Sequence, residues 1–172
     1  AIGHAAMTNA NGTQHSTALG RRALYELTTG NYNTAVGSSS QYNTTTGQSN
    51  TSMGIDSLKQ LTTGSYNTAI GGNCLDAQTT SSYNTALGYG AGGSITTGNT
   101  DTVLGYNCAH GLTTGSENVC VGNSVCSNSG STTFAQNVII GADTVQGNGF
   151  TGSGNVVVGR QAGYYFDGAA NN

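Results

Sequence analysis

Short apolar pairs, each closed by a glycine, return at a fixed interval along this chain. The closing residues are Gly3, Gly20, Gly37, Gly54, Gly71, Gly88, Gly105 and Gly122, each 17 residues after the last. Two looser steps follow, to Gly141 and Gly159. A period held this strictly marks one structural unit stacked on copies of itself, about ten times over, rather than an ordinary globular core.

Each position of the repeat carries its own chemistry. Immediately before the glycine stand Leu19, Val36, Met53, Ile70, Leu87, Leu104, Val121, Ile140 and Val158. Two before it stand Ala18, Ala35, Ser52, Ala69, Ala86, Val103, Cys120, Ile139 and Val157. Adjacent strand residues point to opposite faces, so a short strand ending at each glycine has apolar groups on both. A thin solenoid has only one inside. The second face therefore calls for further copies of the chain, most economically two of them around a threefold axis, and the large apolar column is the expected core and trimer-packing set.

Four before the glycine runs a column of Ser16, Asn33, Asn50, Asn67, Asn84, Asp101, Asn118, Asn137 and Asn155, suited to a ladder of stacked amides. A second glycine column, Gly30, Gly47, Gly64, Gly98 and Gly115 with Ser81, closes each Thr-Thr-Gly corner and is expected to take positive φ at a bend. Between these landmarks, small or apolar residues fall three, four and seven after the repeat glycine, a spacing nearer to a helical turn than to a strand. The expected fold is mainly all-β: a parallel β-solenoid or β-roll, each coil pairing a short strand with a turn or helical-turn segment. Two short strands per coil is the alternative. Ten coils at the interstrand spacing give a rod on the order of 50 Å long.

The regular array covers residues 1–122. Residues 123–172 form looser, wider coils in which Val138-Ile139-Ile140 and Val156-Val157-Val158 replace Thr-Ala pairs, ending in the aromatic run Tyr164-Tyr165-Phe166 as a cap or the start of another domain. Because the chain opens within a repeat, at Ala1-Ile2-Gly3, it reads as a segment of a longer fibre.

Composition narrows the function. Among 172 residues are 28 Gly, no Pro, no Trp and 6% charged residues, too little apolar bulk for an ordinary domain, while the scarcity of Pro, Lys and Glu is unlike a disordered chain. The net charge of −3 leaves no basic stripe for nucleic acid, and no apolar run is long enough for membrane insertion as a helix.

The units Tyr32-Asn33-Thr34-Ala35-Val36-Gly37, Tyr66-Asn67-Thr68-Ala69-Ile70-Gly71 and Tyr83-Asn84-Thr85-Ala86-Leu87-Gly88 resemble repeats of phage tail fibres. They are also similar to the YadA-type head repeats of trimeric autotransporter adhesins. The resemblance covers nearly the whole chain and implies a trimer of parallel β-rolls that attaches to a cell surface, placed on the virion as a tail fibre or, alternatively, on the bacterial cell surface. The 17-residue coil is longer than the usual YadA-type repeat, and a heptad stalk is lacking, which favours the phage fibre.

No constellation in the sequence points to an enzyme or a cofactor. Cys74 and Cys108 share a column with Ala and Ser, and Cys120 fills the small strand column, so these cysteines read as small buried hydrophobes. Cys126, one column over and one coil on from Cys108, is the one pairing to check. Gly88-Tyr89-Gly90-Ala91-Gly92-Gly93 has the spacing of a dinucleotide loop but lacks its following helix and acidic partner. His4, His15 and His110 occupy different columns, where only a threefold axis could gather copies of one around an ion. Five before the glycine, Tyr32, Tyr66 and Tyr83 lie in a column with His15, Ser49, Thr100 and Glu117. Tyrosine beside Asn and Thr suits glycan contact, since aromatic faces stack on sugar rings; the competing reading is that these rings only stack on one another.

Overall fold

The computed structural model describes residues 1–127, 133–146, 150 and 152–164. Nine three-residue strands are spaced along it: β1 (Thr17–Leu19), β2 (Thr34–Val36), β3 (Thr51–Met53), β4 (Thr68–Ile70), β5 (Thr85–Leu87), β6 (Thr102–Leu104), β7 (Val119–Val121), β8 (Val138–Ile140) and β9 (Val156–Val158). They form one parallel sheet in chain order. Equivalent residues face each other, Thr17 with Thr34, Ala18 with Ala35 and Leu19 with Val36, and the register continues to Ile140 with Val158. Ile2 adds a single bridge to Leu19. The fold is an all-β parallel solenoid of about eight turns, with one strand per turn.

The segment after the repeat glycine is not helical. It is a run of turns, because residues two and four past the glycine adopt left-handed backbone, as in Arg22 (φ 57°) and Leu24 (φ 51°), or Asp56 (φ 55°) and Leu58 (φ 51°). Such conformations cost about 1 kcal/mol or more for a residue with a Cβ. What offsets the cost is the direction in which the amides then point. Arg22 N–H donates to His4 O in the preceding coil (2.9 Å), whereas Leu24 and Glu26 N–H donate to Ser40 O (3.1 Å) and Tyr42 O (3.0 Å) in the next. A helix would have spent these groups inside its own coil. The spacing of three, four and seven nonetheless selects inward positions correctly, since two successive reverse turns, Ala23 N–H to Gly20 O and Leu27 N–H to Leu24 O, bring Ala23, Leu24 and Leu27 to the inside.

The two glycine columns have different reasons, and the expectation for the second needs correcting. The repeat glycines hold φ values that side chains rarely adopt, 136° at Gly71, and a Cβ there would overlap the carbonyl of Gly88 in the next coil. The corner glycines such as Gly64 have no positive φ; they are small because the carbonyl of Ser81 passes directly over them. Ser81 shows that one side chain is accommodated in that column, its hydroxyl donating to Thr96 O at 3.0 Å.

Inside the coil run the column two before the glycine, the turn residues just named and the asparagine ladder. Small strand residues and large turn residues together fill one thin layer. The apolar interior divides in two. One cluster comprises Ala18, Ala23, Leu24, Leu27 and Ala35; a longer one runs from Leu58 to Val157. Between them the coil from Gly37 to Gly54 has a polar inside, where Ser40 and Ser52 hydroxyls meet at 2.5 Å and Gln41 Nε2 donates to Ser52 Oγ (2.9 Å) and Thr34 O (3.0 Å). In the last coils Phe134 and Phe150 are fully buried edge to face, centroids 5.2 Å apart, supplying the bulk that the longer loops require. Of the terminal aromatic run, Tyr165 and Phe166 lie outside the described residues.

Because the repeat glycine meets backbone rather than a yielding side chain, Gly71→Ala is expected to lower unfolding stability by about 3 kcal/mol or more. Urea denaturation measures it, and an unchanged midpoint would contradict the close backbone contact.

Candidate functional site: the outer columns and the asparagine ladder

Hydrogen bonds between coils run along both the backbone and the inward polar side chains. Asn50 shows the ladder's unit: its N–H and Nδ2 both donate to Asn33 Oδ1 (3.0 and 3.2 Å), and Nδ2 also reaches the Gly64 carbonyl (2.9 Å). Asn67 repeats this against Asn50 and Ser81 O. A second ladder, absent from the sequence reading, runs through the first threonine of each Thr-Thr pair: Thr28 Oγ1 donates to Thr45 O (3.0 Å), Thr45 Oγ1 to Thr62 O (3.2 Å) and Thr62 Oγ1 to Thr79 O (3.0 Å). The signal for it was the unbroken threonine column.

Asp101 interrupts the amide ladder. Its Oδ1 accepts from Asn118 N–H (2.9 Å) and Nδ2 (3.0 Å), while the buried Oδ2 has no partner. At the equivalent place Asn84 directs an N–H to the corner carbonyl of Gly98 (2.7 Å). A carboxylate oxygen cannot donate there, but a protonated carboxyl can. Burial, foremost, and the charge of Glu117 push the Asp101 carboxyl up to about 6 against the opposing pull of the Asn118 hydrogen bonds.

The outward columns carry what the chain can offer a partner. In the single chain the column one before the glycine lies outside, with Leu19 45%, Met53 51% and Leu87 48% exposed and Val36, Ile70, Leu104 and Val121 half-buried. Ile140 and Val158 are exposed too. These side chains lie outside the single chain's own core. Just past the glycine corner, Ile55, Tyr89 and Tyr106 add further exposed apolar surface.

The tyrosines five before the glycine are exposed, Tyr32 59%, Tyr66 49% and Tyr83 59%, and they also stack along the rod. Tyr66 and Tyr83 are parallel within 4° with centroids 5.1 Å apart, and Tyr32 pairs with His15 at 5.3 Å. Ring faces in this column are thus partly spent on each other, while the rings remain about half exposed. Tyr25 with Tyr42 (5.1 Å) and Tyr89 with Tyr106 (5.9 Å) form two further stacks that the sequence reading did not single out.

The remaining candidates resolve simply. All four cysteines are free and buried. Burial pushes the Cys74 thiol up to about 12. Cys108 and Cys120 are raised as well, the latter chiefly by its hydrogen bond with Cys126, so Cys126 meets Cys120 across a turn. Gly90 and Gly92 are left-handed turn residues of one coil. His4, His15 and His110 are exposed, and no cluster of metal-ligating side chains occurs among the described residues. No helix among these residues is long and apolar enough to cross a membrane. Comparison with family models, with curated proteins and with solved structures finds no match to this chain.

Asp101 generates a pH prediction. The folded chain keeps this carboxyl protonated to about pH 6, whereas the unfolded chain releases the proton near 3.8. Stability is therefore complete below the lower value and falls as pH rises through the upper one, by about 3 kcal/mol in all. Asp101→Asn restores the rung and is expected to abolish that fall, read from urea midpoints at pH 4 and pH 8.

Proposed function

We propose that this chain is a non-enzymatic segment of a phage tail fibre, assembled as a parallel homotrimer, that supports or makes attachment to a host surface through glycans. The single observation that carries the reading is the continuous outward apolar column on a solenoid whose interior is already filled. The column from Leu19 to Val158 presents exposed and half-buried apolar side chains along the rod, and a contiguous apolar surface of this kind marks an interaction site.

A threefold axis suits this surface because apolar groups flank both sides of the repeat-glycine corner. Leu19, Met53 and Leu87 stand before it and Ile55, Tyr89 and Tyr106 after it, so each chain has an apolar edge for each of two neighbours. The proposed trimer uses no cofactor. The resemblance of the Tyr-Asn-Thr-Ala-apolar-Gly units to phage fibre repeats supports placement on the virion; a trimeric adhesin head on the bacterial surface, or a purely structural shaft, uses the same architecture.

Glycan binding separates attachment from a bare shaft. On an array of bacterial surface polysaccharides, the native particle is expected to bind a subset, and Tyr66→Ala to weaken that binding about tenfold without changing the fold by circular dichroism. Binding that is absent, or indifferent to Tyr32, Tyr66 and Tyr83 alike, would leave only the shaft.

A further inference from the structure

The tyrosine column has a missing rung. His15, Tyr32, Ser49, Tyr66 and Tyr83 occupy one position of five successive coils and share the same left-handed backbone, φ 56° to 63°. His15 and Tyr32 form one stacked pair, Tyr66 and Tyr83 another, and Ser49 stands between them. We infer that the Ser49 gap is a binding slot for a single pyranose ring, held between the facing rings of Tyr32 and Tyr66. This deepens the glycan-attachment reading above and rests on it.

Spacing supports a ring-sized gap. Two steps at the 5.1 Å separation of Tyr66 and Tyr83 place the Tyr32 and Tyr66 centroids about 10 Å apart, and stacked rings sit with centroids about 4.5–7 Å apart. One six-membered ring midway is thus in contact with both walls. In another column the neighbours close over such a gap. At Gly72, between Ile55 and Tyr89, an added Cβ would lie 3.3 Å from both neighbours, which lean over the missing side chain.

The polar groups around the slot favour a sugar over a purely apolar ring. In the adjoining column Asn31 Oδ1 and Ser65 Oγ are already engaged, accepting from Gln14 N–H (2.6 Å) and Gln48 N–H (3.1 Å). The Ser49 hydroxyl and the exposed Gln48 side-chain amide beside it make no hydrogen bond to the described residues. A pyranose offers C–H faces to the two tyrosines and edge hydroxyls to these groups. Ser49 also belongs to the coil from Gly37 to Gly54 whose interior is polar, so a departure from the repeat consensus outside coincides with one inside.

Ser49→Tyr tests the slot, because it inserts the missing ring and continues the stack. Titration of the native particle with methyl β-glucopyranoside and methyl β-galactopyranoside, followed by tyrosine fluorescence, is expected to saturate with at least one of them. That saturation should be lost in Ser49→Tyr and in Tyr66→Ala, and kept within about threefold in Tyr83→Ala, while Ser49→Tyr melts no lower than the parent. Sugar binding that survives Ser49→Tyr but falls equally in Tyr66→Ala and Tyr83→Ala overturns the slot and leaves the broader glycan surface standing. Saturation by phenol but by neither pyranoside overturns the sugar assignment, and saturation by none of the probes overturns the slot even where polysaccharide binding persists.

Discussion

Contact of backbone on backbone between successive coils is the constraint from which the rest of this molecule follows. At the repeat glycine the chain passes so close over its next copy that no Cβ fits. That contact keeps glycine over glycine from coil to coil, through the longer steps to Gly141 and Gly159 as well. It also sets the register of β1 to β7, where each residue faces its own equivalent. With identical positions aligned, each column becomes a ladder whose chemistry is multiplied along the rod. Asparagine suits such a ladder because one side chain accepts from one neighbour and donates to another. Aspartate does not, and its unpartnered oxygen at Asp101 shows the cost of a wrong residue in a column.

A coil this thin has little interior, so its stability comes from saturated hydrogen bonding between coils more than from a large apolar core. Left-handed turn residues such as Leu24 and Leu58 belong to the same economy, accepting local strain so that each amide meets the next coil. The interior's small capacity also explains why the largest apolar residues of the strand, Leu19, Met53 and Leu87 among them, stand outside. Their presence there has no use in an isolated chain, and it is on this surplus that the assembly proposal rests.

The period, the parallel coil with one strand and the asparagine column were legible in the sequence, because exact repetition converts composition into position; which of the two apolar columns faces inward was not. Nor was the conformation of the turn segment. Residues such as Arg22, Leu24 and Tyr66 give no compositional hint of left-handed backbone, since the bonds that stabilise it come from neighbouring coils and not from local preference. The corner glycines misled for a related reason, their smallness reflecting an overhead carbonyl and not a φ angle. For the outer face, the tyrosine column was visible as a column, but the slot at Ser49 emerges only once rings are placed in register and their pairing partners are known.

The most direct test of the account is the mass of the native particle in solution by sedimentation equilibrium. With a chain of 17.2 kDa, a single species of three chains that does not dissociate on dilution is expected. A stable, monodisperse monomer would contradict it, because the outward apolar column would then be exposed to water along the whole rod.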